Sequence, residues 1–407
     1  MVNINKLLAW WQRGVIAALG ISILLLGIGR LEFSSFSLSA WSVSRTTFFF
    51  WFLGKLLLLY HRGWAGFELR RLSGLAPLSL FFLAATLSLL PDFRAAGDYR
   101  YFAFACGHAV MVADLLADRQ RVRWTILALG VLPAILVVRG LVNNPAVLSV
   151  NLAHRFGFPL DHANTAGFVL ALTLPLSLWC IATETGWRRR LAVVSCMLQW
   201  LALILTFSRA AWLGATLSLL VYAILLKQWK PITIIVAAIF AAILTLPSFR
   251  DRLLSMANPR QDYALGQRLM LVSEAMRLGV DKPILGVGYG RGRVKEALRG
   301  RLRGTEYENN SLWHTHNLYV ELFAGTGLLG LGAFLWMAST ALMRAARSAW
   351  RAARPDAILS TALGSSWFAM IICGLGDVPF FHHETRIMLF TLLGLIVSTC
   401  SVGTSRQ

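Results

Sequence analysis

Most of this chain consists of apolar stretches that are long enough to cross a lipid bilayer. Of its 407 residues, 57% are hydrophobic and only 14% are charged. A membrane-spanning helix needs about 20 consecutive apolar residues. Because lipid offers the backbone no hydrogen-bond partners, such a stretch has to form a helix. The sequence therefore predicts an all-α polytopic membrane protein and excludes a soluble protein.

We expect about twelve transmembrane helices, divided by one long polar segment. The pattern divides the chain into residues 1–247 with helices 1–9, a large loop over residues 248–315, and residues 316–407 with helices 10–12. The predicted spans are 14–30, 44–60, 75–91, 99–116, 124–142, 163–182, 191–207, 210–226, 231–247, 317–343, 356–375 and 386–402.

Basic residues are unevenly distributed between the two sides of the predicted membrane. If the N-terminus is cytoplasmic, the inside segments carry 18 Lys and Arg residues and the short outside segments carry 8. This asymmetry predicts that both termini are cytoplasmic and that the loop lies outside. The loop itself carries 12 bases against 7 acids. A basic surface beside lipid suits an anionic headgroup or a lipid-linked phosphate, so the net charge of +20 does not indicate nucleic acid binding.

Two arginines lie at this predicted outer surface. Arg209 occupies a tight turn between two spans, where a guanidinium is costly unless it is paired or functional. Arg268 precedes apolar residues at helical spacing, which predicts an amphipathic helix in the loop. A planar guanidinium suits phosphate oxygens. The alternatives are that Arg209 only extends to headgroups or pairs with a carboxylate, and that Arg268 is solvated.

Imidazoles gather at the same boundary. His316 begins the tenth predicted span, and His314 would share its face in an extended chain. Imidazole is the usual general base near neutral pH, and Glu321, about one turn inside the span, could orient it or titrate itself. An interfacial histidine with a hydrogen-bonded backbone is the alternative. We expect His314 to be less restrained than His316, because it lies further into the loop.

Other polar residues at the outer helix ends allow two interpretations. His162 and Asn164 open the sixth span and could bind sugar hydroxyls or cap the helix. Arg386 belongs to a cluster before the last span. The sequence has no Asp-x-Asp pair and no histidine-rich run, so it predicts no metal site, and we expect no cofactor.

Three features resemble the O-antigen ligase family, part of the O-antigen ligase and polymerase superfamily. The first is His316-Asn317, followed after nine residues by Gly327-Leu328-Leu329-Gly330, similar to the family's His-(Asn/Ser/Gln)-x9-Gly-x-x-Gly pattern. The second is Arg209-x3-Leu213, similar to an Arg-x3-Leu pattern at an outer helix end. The third is Arg268 followed by the glycine-rich run 283–290, similar to a loop arginine and a Pro-x-x-Gly-x-Gly run.

The resemblance implies a metal-independent, inverting glycosyltransferase in the bacterial inner membrane, with a C-type glycosyltransferase-like architecture and one large periplasmic loop. It would transfer O-antigen polysaccharide from undecaprenyl diphosphate to lipid A–core at a periplasmic site. Arg209 and Arg268 would then neutralise the diphosphate, and His316 would accept or orient the acceptor hydroxyl. Further residues that could bind substrate are His162, Asn164, His314, Asn317, Glu321 and Arg386.

Three alternatives remain open at this point. An O-antigen polymerase would use the same donor and extend a lipid-linked glycan. A protein O-oligosaccharyltransferase often carries a further soluble part, which this sequence does not contain. A transporter of lipid-linked oligosaccharide should place ionisable residues at the bilayer midplane, whereas most of those here lie at outer helix ends.

Overall fold

The computed structural model of this protein is mainly helical. It describes residues 4–28, 31–32, 37–63, 73–91, 97–157, 159–160, 162–229, 233, 237, 247–254, 263–304 and 314–400. The α-helices of these ranges are α1 (Ile4–Ile28), α2 (Ala40–Arg62), α3 (Ala76–Ser88), α4 (Gly97–Leu115), α5 (Arg119–Val131), α6 (Pro133–Asn143), α7 (Ala163–Thr183), α8 (Gly186–Leu205), α9 (Arg209–Leu226), α10 (Pro247–Leu254), α11 (Tyr263–Asp281), α12 (Arg291–Arg301), α13 (Leu318–Arg351), α14 (Arg354–Cys373) and α15 (His383–Thr399).

Shorter elements connect some of these helices. The strands β1 (Leu31–Glu32) and β2 (Ser37–Leu38) form an antiparallel pair between α1 and α2. Short 3-10 helices cover Ser73–Leu75, Pro145–Ser149 and Pro379–Phe381.

Seven of the described helical segments are long and apolar enough to cross a membrane. They are Leu8–Leu26, Ala40–His61, Arg119–Asn143, Ala163–Thr183, Arg209–Leu226, Leu318–Arg351 and Arg354–Cys373. The polytopic, helical class predicted from the sequence is thereby confirmed. Four further predicted spans coincide with the shorter or more polar helices α3, α4, α8 and α15, and most of the span 231–247 lies outside the described residues. The total of twelve, and the position of the loop outside the membrane, remain predictions.

Helix α7 is the central helix of the described bundle. Of the residues in its most apolar 18-residue stretch, 83% are buried, and the helix packs against α5, α8, α9 and α14. Helix α2 is much more exposed. Only 22% of its most apolar 18-residue stretch is buried, and Phe49, Phe50 and Leu57 are exposed. Large apolar side chains on an outer helix face are expected where the neighbour is lipid. The bundle therefore has a buried centre, and both α7 and α14 run from the candidate site to the opposite end.

A break in α13 receives the glycine-rich segment that follows α11. The helix is interrupted at Gly327, whose φ is 63°, so the carbonyls of the preceding turn are free for other donors. The N–H of Val287 donates to Ala324 O at 2.9 Å, and the N–H of Gly288 donates to Gly325 O at 2.8 Å. We call residues 283–288 and 324–329 the glycine clasp.

The clasp requires its glycines. A Cβ on Gly286 would lie 2.5 Å from Ala324 O, and one on Gly327 would lie 2.3 Å from the Ile284 carbonyl carbon. Such distances are shorter than any real contact, so only glycine allows the two backbones to approach. These glycines therefore have a structural role: they allow the backbone that follows α11 to bind α13.

A small apolar core reinforces the same contact. Leu271, Ala275 and Leu278 of α11 are buried against α12 and the start of α13. The amphipathic helix predicted in the loop is present. Its buried face includes Ala275, whereas Leu269 and Met276 are exposed. The helix packs on other helices, and this packing fixes the position of Arg268 relative to the start of α13.

Candidate active site

Asp377 lies between α14 and α15, where it contacts both histidines at the start of α13. Its Oδ1 accepts a hydrogen bond from His314 Nε2 at 2.5 Å and lies 3.3 Å from His316 Nδ1. The two ring centroids are 4.2 Å apart. The Asp377 side chain is only 2% exposed, so two imidazoles share one buried carboxylate. Because a carboxylate only accepts, the ring nitrogens that face it carry the protons.

The backbone around His316 is held in an unusual conformation. His316 has a φ of 55°, in the left-handed region that side-chain-bearing residues rarely adopt. The N–H of Thr315 donates to Glu321 Oε2 at 2.9 Å, and Asn317 Oδ1 accepts from the N–H groups of Tyr319 and Val320 at 3.1 Å each. These bonds on either side of His316 fix the ring direction. Strained conformations held in this way are concentrated at functional sites.

A chain of hydrogen bonds joins Asp377 to the turn before Arg209. Asn164 Nδ2 donates to Asp377 Oδ2 at 2.6 Å, and Asn164 Oδ1 accepts from Arg155 Nη2 at 2.7 Å. Arg155 Nε then donates to the Thr206 carbonyl at 2.7 Å. The turn that begins at Thr206 leads directly into α9, whose first residue is Arg209. The polar network therefore couples the start of α7, the start of α9 and the histidine pair.

The two predicted phosphate-binding arginines are both half-buried. Arg209 is the first residue of α9. Its neighbour Ala210 packs closely against Gly376, where an added Cβ would lie 2.8 Å from the Ala210 Cβ. This packing brings the start of α9 next to the residue before Asp377. Arg268 lies on α11, close enough for its charge to lower the pKa of both His162 and His316, although burial is the main cause in each case. The structure thus places Arg268 within electrostatic range of the histidines, and Arg209 beside the backbone that precedes Asp377.

The site favours a neutral His316 beside an ionised Asp377. Burial lowers the pKa of His316, and this effect outweighs the hydrogen bond and charge of Asp377, which raise it. Burial alone would raise the pKa of Asp377, but the charge and hydrogen bond of His314, followed by those of His316, hold it well below its ordinary value. His382 lies next to the pair, and burial lowers its pKa to about 4. A neutral imidazole on an ionised carboxylate can accept a proton from a substrate.

The expectation that His314 is the less restrained histidine is wrong. Its side chain is 9% exposed, compared with 24% for His316, and its bond to Asp377 is the shorter one. The partner lies 63 residues away along the chain, so the local pattern gave no sign of it. His314 acts as an anchor for Asp377, while His316 is the ring with more access to the surroundings.

Other predicted site residues serve partly in local structure. His162 caps α7, where its Nδ1 accepts from the N–H of Asn164 at 3.2 Å. Asn317 caps α13 and also donates to the Leu375 carbonyl at 3.1 Å. Arg386 is fully buried in a separate cluster, where Nε donates to the Phe380 carbonyl at 2.6 Å and the guanidinium lies over Trp41. Among the described residues it has no hydrogen bond to the histidine pair.

His314, His316 and Asp377 also form a set of donors that the sequence did not predict. One atom of each lies within 4.8 Å of the others, which is close enough to consider a metal ion. In a tetrahedral site with bonds of about 2.0–2.1 Å, two ligands lie roughly 3.3 Å apart. The 2.5 Å separation of His314 Nε2 and Asp377 Oδ1 is instead that of a hydrogen bond. Metal binding also needs ring nitrogens without protons, so the observed arrangement is a hydrogen-bonded His–Asp–His group.

Sequence reasoning missed Asp377 and Arg155. Asp377 is a single acid in a short connection between two predicted spans, preceded by Gly374 and Gly376. An acid at an outer helix end opposite two histidines is the only signal that could have pointed to it. Arg155 precedes the sixth predicted span, and no local motif distinguishes it from the other basic residues predicted to lie outside.

The described fold is that of a helical, polytopic membrane protein whose candidate site lies where several helix ends meet. The family model described as O-antigen ligase matches residues 192–335. This match confirms the resemblance found in the sequence, and the matched family consists of glycosyltransferase-like membrane enzymes. The match includes Arg209, Arg268 and His316, whereas Asp377 lies beyond it. No curated protein matches the chain in a sequence comparison.

Proposed function

We propose that this protein is an O-antigen ligase of the bacterial inner membrane. It transfers O-antigen polysaccharide from undecaprenyl diphosphate to lipid A–core at a periplasmic site, with both termini in the cytoplasm. The observation that carries the proposal is the neutral His316 on the buried Asp377, with Arg268 close to it, in a chain that matches the family. This combination provides a base and a cation for one group transfer.

Arg209 and Arg268 bind the diphosphate of the donor. When the glycosidic bond breaks, negative charge grows on the departing phosphate, and guanidinium groups stabilise that charge. Arg268 approaches from α11, whose position the glycine clasp fixes, and Arg209 approaches from the start of α9. Two arginines on separate elements thus close around one leaving group.

His316 removes the proton from the acceptor hydroxyl. Its Nδ1 faces Asp377, so its Nε2 is the nitrogen that can accept a proton. Asp377 holds this tautomer and stabilises the imidazolium that forms, as a carboxylate does behind a catalytic histidine. The activated hydroxyl then attacks the anomeric carbon from the face opposite the diphosphate. This direct displacement inverts the configuration of the sugar.

The described interior offers little support for the transporter alternative. Lys55 lies within a predicted span, but its Nζ pairs with Asp114 Oδ1 at 2.8 Å. His108 Nδ1 lies 2.6 Å from Ser44 Oγ, and its Nε2 lies 2.9 Å from Thr391 Oγ1. These groups connect α2, α4 and α15, so they have a bracing role in the described structure.

Mass spectrometry of reaction products tests the proposal. Purified protein in liposomes receives an undecaprenyl-diphosphate-linked glycan together with lipid A–core, and His316→Ala serves as the inactive control. The proposal predicts glycan joined to lipid A–core. Glycan that only grows on the undecaprenyl carrier would identify a polymerase instead. A second arm adds EDTA, and we expect transfer to continue, because two arginines provide the charge stabilisation that a metal often supplies.

A further inference from the structure

A cleft lies at the end of the bundle opposite the candidate active site. It has a volume of about 790 Å³ and is bounded by the C-terminal ends of α7 and α9, residues 189–200 of α8 and the start of α14. A helix of 21 residues spans about 30 Å, so α7 separates the cleft from the histidines by roughly the thickness of a bilayer. The volume is in the range of ligand pockets, about 300–1,000 Å³.

Most of the cleft wall is apolar. Contributors include Leu178 and Ile181 from α7, Val193 and Met197 from α8, and Ile358 from α14. Such a wall suits a hydrocarbon chain, and it lies between helices rather than on the outer face of one helix.

Two polar groups in the cleft have no hydrogen-bond partner among the residues that the structure describes. Tyr222 is 2% exposed, and its hydroxyl makes no hydrogen bond to any described residue. The Nε1 of Trp200 is also buried without a partner. Both residues line the cleft. Because buried polar groups are nearly always hydrogen-bonded, these two point to a ligand that brings polar atoms such as ester oxygens.

The mouth of the cleft is positively charged. Arg189 and Arg354 line it, and within the described part of the chain neither has a carboxylate at ion-pair distance. The nearest acids in sequence are already bound to other arginines, Glu184 to Arg123 at 2.7 Å and Asp356 to Arg119 at 3.0 Å. The two lining guanidinium groups are therefore available to an anion from the membrane surface.

We propose that this cleft binds one anionic phospholipid from the leaflet opposite the candidate active site. The phosphate group lies between Arg189 and Arg354, the ester region meets Tyr222 and Trp200, and an acyl chain follows the apolar wall. Basic pockets between transmembrane helices recognise anionic lipids in this way. The bound lipid packs between α7, α8, α9 and α14, so it stabilises the helices whose other ends carry Asn164 and Arg209. The proposal does not depend on the reaction catalysed.

Native mass spectrometry of the full-length protein in detergent tests this site. Phosphatidylglycerol and phosphatidylcholine are added separately, and the collision energy is raised until loosely bound lipid is lost. We expect one phosphatidylglycerol to remain on the wild-type protein, whereas phosphatidylcholine is lost. In Arg189→Ala/Arg354→Ala the affinity for phosphatidylglycerol should fall by roughly tenfold or more, because each basic residue near a membrane surface contributes about fivefold.

A matched double variant controls for lost charge. Arg190 and Arg351 lie at the same end of the bundle but do not line the cleft, so Arg190→Ala/Arg351→Ala should retain the lipid. Equal loss in the two double variants would overturn the proposal, as would equal retention of the two lipids.

A second pair of variants tests the apolar wall without changing charge. Val193 lines the cleft, while its neighbour Val194 is exposed outside it. Val193→Trp should displace the lipid and Val194→Trp should not. Tyr222→Phe removes only the unpartnered hydroxyl, so it should keep the fold and weaken binding a few-fold. Undiminished binding of phosphatidylglycerol by Tyr222→Phe and Val193→Trp would place the lipid elsewhere and refute the assignment.

Discussion

Asn164 and Asp377 are hydrogen-bonded to each other at 2.6 Å, although 213 residues separate them in the chain. Asn164 is in the first turn of α7, and Asp377 lies beyond the end of α14. The bond fixes one carboxylate oxygen, which leaves the other for the two histidines. The position of His316 therefore depends on how α7 and α14 pack, and not only on the local sequence around it.

Asp377→Asn should abolish most of the glycosyl transfer while leaving the fold intact. The amide has nearly the same shape but loses the negative charge that stabilises an imidazolium on His316. We expect kcat to fall by about 10²–10⁴-fold, the usual contribution of a general base. Donor binding should persist, because the arginines are unchanged. Asp356→Asn is the control, since that residue pairs with Arg119 away from the site. Rates of transfer and size-exclusion profiles measure both effects, and an active Asp377→Asn protein would contradict the assignment.

The pH profile of kcat/KM should show an acidic limb below the ordinary histidine pKa. His316 must be neutral to accept a proton, and its pKa is lowered. Activity is therefore present at neutral pH and is lost as the pH falls through that lowered value, below about 6.5. The hydrogen bond and charge of Asp377 raise the His316 pKa. The residual activity of Asp377→Asn should therefore show its acidic limb at a still lower pH. A limb above pH 6.5 would count against His316 as the base.

Glutamine should replace His314 with partial retention of function, but it should not replace His316. His314→Ala removes a bond to a buried carboxylate and should lower stability by ~1–3 kcal/mol. His314→Gln can still donate to Asp377, so it should recover much of the stability and part of the activity. Glutamine at position 316 could also donate but cannot accept a proton, so His316→Gln should remain inactive with a normal melting temperature. Thermal unfolding and transfer assays on these three variants test the difference, and an active His316→Gln protein would contradict the role of His316 as the base.

Arg268→Ala and Arg209→Ala should each reduce transfer by roughly 10²-fold or more, the loss seen when one group that stabilises charge in a transition state is removed. Lysine should restore only part of the rate, because it keeps the charge but loses the planar pair of donors. Arg277→Ala is the matched control for Arg268, since it lies on the same helix, is exposed and pairs with Glu274. Rates within twofold of the control for both alanine variants would exclude the role in binding diphosphate.

The helices were predictable from the sequence because hydropathy is a local property. The predicted spans at 210 and 317 begin within one residue of α9 and α13. Arg209, Arg268 and His316 were found because each is part of a recognisable local pattern. Asp377 could not be found in this way, since its meaning comes from two histidines more than 60 residues away. The restraint on His314 was missed for the same reason.

The glycine clasp was only half predictable. The sequence showed a turn with closely spaced glycines, and φ values of 66° at Gly286 and 115° at Gly288 confirm why glycine is used there. Its partner could not be predicted, because the carbonyls that it binds are free only where α13 breaks at Gly327. A break within an apolar span leaves no mark in the hydropathy pattern.

Gly286→Ala should disconnect α11 from α13 and so weaken the hold of Arg268 on the donor. The new methyl group would lie 2.5 Å from Ala324 O, at a residue whose φ of 66° already disfavours a side chain. We expect a local destabilisation of ~1–3 kcal/mol, seen as faster proteolysis or hydrogen exchange in α11. Gly292→Ala is the control, because Gly292 lies inside α12 with nothing within 4 Å of an added Cβ. The KM for the donor should rise in Gly286→Ala and stay constant in the control. If exchange in α11 and the donor KM were unchanged in Gly286→Ala, the clasp would not be what positions Arg268.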